Sequence, residues 1–227
     1  MSNVKNILFV VAHSDDEAIG AGGALAKHVV AGNNVKGISL TNGVGARKDA
    51  NSGSIRKREL AARLAAKTIG FDWLSCMDFG DNRLDAVPIL SIIQSIEKAV
   101  CSYKPDIIYT HSKSDLNIDH EIVARAVLTV FRPGAIGVTP EIRLFEVPSA
   151  TDFGHVAVTG CFSPNLYVDI SDTWNIKSDA LEVYGDEMRA YPHSRSIKAI
   201  ENLARVRGSQ VGLEMAEAYM IIRRVER

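Results

Sequence analysis

The chain has 227 residues, 46% of them hydrophobic and 23% charged, with a net charge of −1. That length can bury a full core, and the near-neutral balance removes the electrostatic case for nucleic acid or an anionic membrane surface as a partner. Cys76, Cys101 and Cys161 are too few and too widely spaced for a disulfide framework, and are expected as reduced, buried thiols of a cytoplasmic protein.

Ile7 to Ala12 reads as a fully buried strand. It is too short to cross a membrane and lacks the flanks of a signal peptide. Ala18 to Ala31 reads as a helix stopped at Gly32-Asn33-Asn34. Val35 to Thr41 is a second strand, and residues 43–53 a glycine-containing loop. A helix over about Ile55–Ile69 stops at Gly70, and Trp73–Met77 is a third strand. Val87–Tyr103 has a helical apolar period, Ile107–Thr110 is a fourth strand, and Ile118–Phe131 another helix. In the second half, Arg143–Val147 and Leu166–Ile170 read as strands, and Lys177–Arg189 and Ser196–Arg207 as helices. Met215–Arg224 reads equally as a strand or a short helix. No repeat or linker interrupts the pattern, so one domain over residues 1–227 is expected. Strand–helix alternation of this kind predicts an α/β fold with a mostly parallel sheet and helices on both faces.

In such sheets ligands bind beyond the carboxyl ends of the strands. Two polar clusters directly follow strands. The first is His13-Ser14-Asp15-Asp16-Glu17, three adjacent acids that a fold tolerates only beside water, a cation or a base. The second runs from His111 to Asp119-His120. Both fall on one rim. His13, Asp16 and His120 supply two nitrogens and one oxygen, the open ligand set of a catalytic zinc. Water on such an ion has a pKa near ~7 instead of ~15.7. Asp15 is placed to take its proton, and Asp119 to orient a neighbouring polar group. Asp81, with Asn82 and Arg83, follows a strand and reaches the same rim, though Gly-Asp-Asn is also strong turn chemistry.

Ala12-His13-Ser14-Asp15-Asp16-Glu17 resembles the AHPDDE motif of the PIG-L/LmbE-like de-N-acetylases, with Ser14 where proline is usual. Asn117-Ile118-Asp119-His120 resembles that family's HxDH motif. Thr41-Asn42-Gly43, Arg56 with Glu59, Asp81-Asn82, Glu146-Val147-Pro148 and Pro192-His193-Ser194-Arg195-Ser196 extend the likeness over nearly the whole chain. The resemblance implies a Rossmann-like three-layer sandwich and zinc-dependent removal of an N-acetyl group from a small amino sugar or its conjugate. By position it assigns metal to His13, Asp16 and His120, the general-base role to Asp15 and a substrate contact to Arg56. Other divalent transition metals suit the same ligands, and a homo-oligomer is compatible. Asn117 stands where many members carry a histidine that protonates the leaving amine or holds the oxyanion. An amide donates a hydrogen bond to substrate but is no general acid, so His193 is the candidate acid and protonated Asp15 the alternative.

Asn117 also keeps open a catalytically weak or thiol-conjugate amidase relative that binds metal and ligand without deacetylating sugars. A receiver module with paired acids around magnesium is disfavoured, because such modules are about half this length and magnesium prefers oxygen donors. Gly20-Ala21-Gly22-Gly23 lacks the last glycine of a dinucleotide loop, which Leu25 replaces. His28 and His155 read as structural or solvated. His111 reads equally as a pocket wall or a fold residue.

Overall fold

The computed structural model describes residues 4–48, 51–135 and 139–226. Its strands are β1 (Asn6–Val11), β2 (Asn34–Thr41), β3 (Asp72–Phe79), β4 (Ile107–His111), β5 (Glu141–Phe145), β6 (Leu166–Asp169) and β7 (Ala216–Arg223). They form one sheet in the order β3-β2-β1-β4-β5-β7-β6. The first five run parallel, and β7 lies antiparallel between β5 and β6. The helices are α1 (Asp16–Val30), α2 (Ser52–Ile69), α3 (Ile89–Ala99), α4 (Ile118–Val130), α5 (Val156–Thr159), α6 (Trp174–Val183) and α7 (Ile197–Ser209).

The side-chain alternation of β1 divides the core. Ile7, Phe9 and Val11 pack toward α1, α2 and α6, whereas Leu8, Val10 and Ala12 pack toward α3 and α4. Every one of these six is fully buried, as a central parallel strand covered on both faces requires. The expected three-layer, mostly parallel sandwich is therefore the observed one. Among the described residues no helix is long and apolar enough to cross a membrane.

Several boundaries differ from the sequence reading for local reasons. α2 starts at Ser52 because the Asn51 side chain accepts from Gly53 N and Ser54 N. α3 ends at Ala99, and Tyr103 leaves the helical path to donate its hydroxyl to Ile7 O and Asn34 O. α6 runs earlier than expected and stops at Val183, which frees residues 184–187 to turn toward the rim. The ambiguous C-terminal segment is the strand β7. All three cysteines are free, as expected, but they are exposed rather than buried. Cys76 sits on β3, the edge strand that pairs only with β2 among the described residues.

The strand order places β1 between β2 and β4. The connections leaving β1 and β4 both open at the carboxyl edge, so the loops that follow them face each other there.

Candidate metal centre

His13 follows β1, Asp16 opens α1, and His120 sits in the first turn of α4. All three are buried. Their facing atoms make a nearly equilateral triangle. His13 Nδ1 lies 3.2 Å from Asp16 Oδ2, His120 Nε2 lies 3.4 Å from the same oxygen, and the two nitrogens are 3.3 Å apart. Ligand atoms about 2.1 Å from a tetrahedral ion stand about 3.4 Å from one another, so the triangle has the dimensions of a zinc face.

The outer nitrogens explain why the inner ones are free. His120 Nδ1 is 2.7 Å from Asp115 Oδ2. His13 Nε2 is 3.1 Å from Asp81 Oδ1 and 3.3 Å from Asp119 Oδ2. The Asp115 contact leaves a lone pair on His120 Nε2 aimed at the centre. His13 Nε2 is buried near two carboxylates without a hydrogen bond to either, and their charge favours the tautomer whose lone pair is on Nδ1. Asp16 Oδ1 is also buried, with no hydrogen-bond partner among the described residues. Two lone pairs and a carboxylate in one dry corner call for a cation.

The electrostatics agree. Burial opposes a charged His13 ring, but Asp119, Asp16 and Asp81 outweigh it and lift the ring well above its usual range. Burial also opposes the His120 cation, and Asp16 and Asp115 lift it to about 9. Burial pushes the Asp16 carboxyl up, yet the His120 charge carries it well below the usual carboxylate range. The cluster favours positive charge at its centre, the condition that a divalent cation meets.

Two overlapping triads are poorer hosts. His111, Asp115 and His120 come together, but His111 Nε2 already accepts from Ala12 N at 2.9 Å. His13, Asp81 and Asp119 also come together, but Asp119 accepts Asn82 N at 2.7 Å and Leu84 N at 3.0 Å. Asp119 thus clamps the 82–84 turn while bracing His13. His111, stacked on His120 at 3.9 Å between ring centroids, is a fold residue that ties β4 to the end of β1.

Asp15 stands beside the triangle, 1% exposed. Its Oδ2 meets Arg58 Nη1 at 3.2 Å. Arg58 also donates to Ser14 O at 2.7 Å and pairs with Glu187 at 2.9 Å. Glu17 turns away from the centre and accepts the Tyr184 hydroxyl at 2.6 Å. Its carboxyl is pushed up to about 8, first by burial and then by Asp15 and Asp16, against the Tyr184 hydrogen bond.

The model of the GlcNAc-PI de-N-acetylase family, PIG-L, matches residues 8–131, a span that contains all three triangle residues. The chain belongs to the PIG-L family. Diacetylchitobiose deacetylase of Thermococcus kodakarensis is 24% identical over 192 residues, covering 81% of this chain and 70% of that protein. The structure of N,N'-diacetylchitobiose deacetylase from Pyrococcus horikoshii, complexed with an inhibitor, superposes with a TM-score of 0.78 at 19% identity, covering 97% of this chain and 84% of that one. GalB of Pseudomonas putida, a 4-carboxy-2-hydroxymuconate hydratase, superposes with a TM-score of 0.72 at 21% identity, covering 99% of both chains. The fold therefore hosts more than one reaction, and the chemistry of this PIG-L protein has to be argued from its side chains.

The remaining sequence candidates divide. Asp81 reaches the centre, but against His13 and with Ala46 N donating to its other oxygen at 3.1 Å. Burial pushes the Asp81 carboxyl up, and the adjacent His13 ring and its charge bring it below its usual range. Asn117 caps α4, accepting from Asp119 N at 2.9 Å, and its Nδ2 has no partner among the described residues. Arg56 is exposed on α2 and makes no hydrogen bond or ion pair to the cluster among the described residues; Arg58, two residues on and on the opposite side of the helix, is the arginine that arrives. His193 lies in an exposed loop, its ring edge to Phe153 and its Nδ1 accepting from Arg195 N at 3.0 Å. Sequence reasoning missed Asp115, Arg58 and Glu187. Only Arg58 had a readable signal, since residues 58, 62, 65, 66 and 69 form the one buried stripe of α2.

Proposed function

We propose that this PIG-L protein is a zinc-dependent deacetylase that removes the N-acetyl group from an N-acetylglucosamine-type sugar or its conjugate. The triangle of His13 Nδ1, Asp16 Oδ2 and His120 Nε2 beside Asp15 carries the reading. These three residues would hold the zinc; bound there, it supplies a Lewis acid for the acetamide carbonyl and a water acidic near neutral pH. Other divalent transition metals fit the same donors.

Asp15 takes the proton of the attacking water on Oδ1, the oxygen without a described partner, while Arg58 holds Oδ2. Asn117 Nδ2 supplies a neutral hydrogen-bond donor for the oxyanion. Asn117 is not an acid, and His193 packs on Phe153 and Arg195, so protonated Asp15 returns the proton to the leaving amine. Asp119 and Asp81 fix the His13 ring, and Asp115 fixes His120. A single domain and a cytoplasmic setting suit the one shared sheet and the free cysteines.

The test is acetate release from N,N'-diacetylchitobiose and N-acetylglucosamine after chelation and zinc restoration. Zinc-dependent release supports the reading, and none across a panel of N-acetylated sugars overturns it. Asp15→Ala is expected to keep its zinc and lose most turnover.

A further inference from the structure

Asp15 carries a second cation that this reaction leaves without a role. Arg195 Nη1 lies 3.5 Å from Asp15 Oδ2, the same oxygen that Arg58 holds at 3.2 Å. Two guanidiniums on one oxygen fix the rotation of the carboxylate and leave Oδ1 with its lone pairs free.

The two arginines differ in what remains of them. The Arg58 side chain is 5% exposed; its two terminal nitrogens are taken by Asp15, Ser14 O, Gly43 O and Glu187, and its Nε is buried with no partner among the described residues. The Arg195 side chain is 21% exposed. Its Nε donates to Ser149 Oγ at 2.9 Å, and its Nη2 has no partner among the described residues. Ser149 is held at φ 72°, a left-handed conformation that a non-glycine residue adopts at a cost. The backbone of Arg195 is tied on both sides, its N–H to His193 Nδ1 and its carbonyl to Arg189 N. A long, flexible side chain is thus held at two of its three nitrogens, with no described partner at the third. Arg47, Arg58 and Arg195 share two carboxylates, Asp15 and Glu187. Of the two arginines on Asp15, the accessible one is Arg195.

We propose that Arg195 positions both the base and the substrate. Nη1 holds Asp15 so that Oδ1 stays free, and Nη2 donates to an acceptor oxygen of the bound substrate, on an amino sugar a ring hydroxyl near the acetamido group. The identity of that acceptor rests on the deacetylase reading; the pairing with Asp15 does not.

Arg195→Ala, Arg195→Lys and Asp15→Ala are assayed on N,N'-diacetylchitobiose, with zinc content measured on the same samples. Arg195→Ala is expected to keep its zinc and lose about 10–100-fold in kcat/KM, shared between a lower kcat and a higher KM. Arg195→Lys restores little, because an ammonium cannot reach three acceptors as a planar fork does. Methylguanidinium restores part of the rate to Arg195→Ala and none to Asp15→Ala. Unchanged kinetics in Arg195→Ala, or zinc lost in step with rate, overturns the proposal. If the wild-type chain deacetylates no sugar, the deacetylase reading falls and a stability cycle still decides the pairing. Urea midpoints of Arg195→Ala, Asp15→Asn and the double variant are expected to be non-additive, and additive shifts overturn it.

Discussion

His13 is built to be used at both ends of its ring. One nitrogen faces Asp81 and Asp119, and the other faces Asp16 and His120. The outer acids set the tautomer, so their loss should be felt at the metal. Asp119→Ala is expected to weaken zinc binding about 10–100-fold, read by competition with a chromogenic chelator. His13, Asp15 and Asp16 were legible because they directly follow β1, and His120 because Asn117-Ile118-Asp119-His120 opens the helix after β4. Asp81 was legible as a rim residue and Arg58 through the buried stripe of α2, whereas Asp115 and Glu187 act through contacts that tertiary packing creates, and a linear reading gives such partners little weight. Away from the site, His28 Nδ1 accepts from Asn33 Nδ2 at 3.1 Å, so the neutral ring donates its Nε2–H to the Tyr109 hydroxyl oxygen at 3.0 Å. Burial, with Arg143 and the lysines Lys5 and Lys27, lowers its ring to about 4. A ring held neutral in the folded state contributes stability above its unfolded pKa near ~6.5. That contribution is lost as pH falls from there through about 4. His28→Gln should flatten this acid limb when urea midpoints are compared across the window.

At the scale of elements, α1 must approach the sheet closely because it carries Asp15 and Asp16 to the rim. Its glycines are the means. A Cβ on Gly20 would fall 2.3 Å from the Phe145 ring, and one on Gly23 would fall 2.7 Å from Ile170. The sequence run at 20–23 is therefore helix–sheet packing, and no cofactor loop. Gly20→Ala should cost about 1–3 kcal/mol by overpacking a buried ring, measured by chemical unfolding. The strands were readable because β1 and β4 are unbroken apolar runs bounded by turn residues. α5, four residues long, has too few positions to show a period. The end of α6 was misjudged because apolar Val183 and Tyr184 continue the helical pattern while the backbone already turns toward Glu187.

For the whole molecule, the proposed metal would join the turn between β1 and α1 to α4, more than a hundred residues later in the chain. Zinc at about 100 times its Kd would add about 2.7 kcal/mol of stability. For a chain of this size that raises Tm by about 5–10 °C. Scanning the chelated and zinc-restored protein checks it, and His120→Ala should show no such rise. The family match ends at residue 131, yet the sheet is not complete there. Glu217 of β7 accepts from Gly23 N at 2.9 Å and Ala24 N at 2.8 Å, and pairs with buried Lys177 at 2.6 Å. The final strand in chain order thus latches the helix that holds the first ligands, and β6 can join the sheet only through it. On the ribosome, a nascent chain owns every ligand long before it owns a rigid site. Ribosome-arrested chains that end short of β7 should therefore take up zinc weakly, and chains with β7 clear of the exit tunnel tightly. Metal capture would then report that β7 has docked, so chains still short of it compete poorly for zinc.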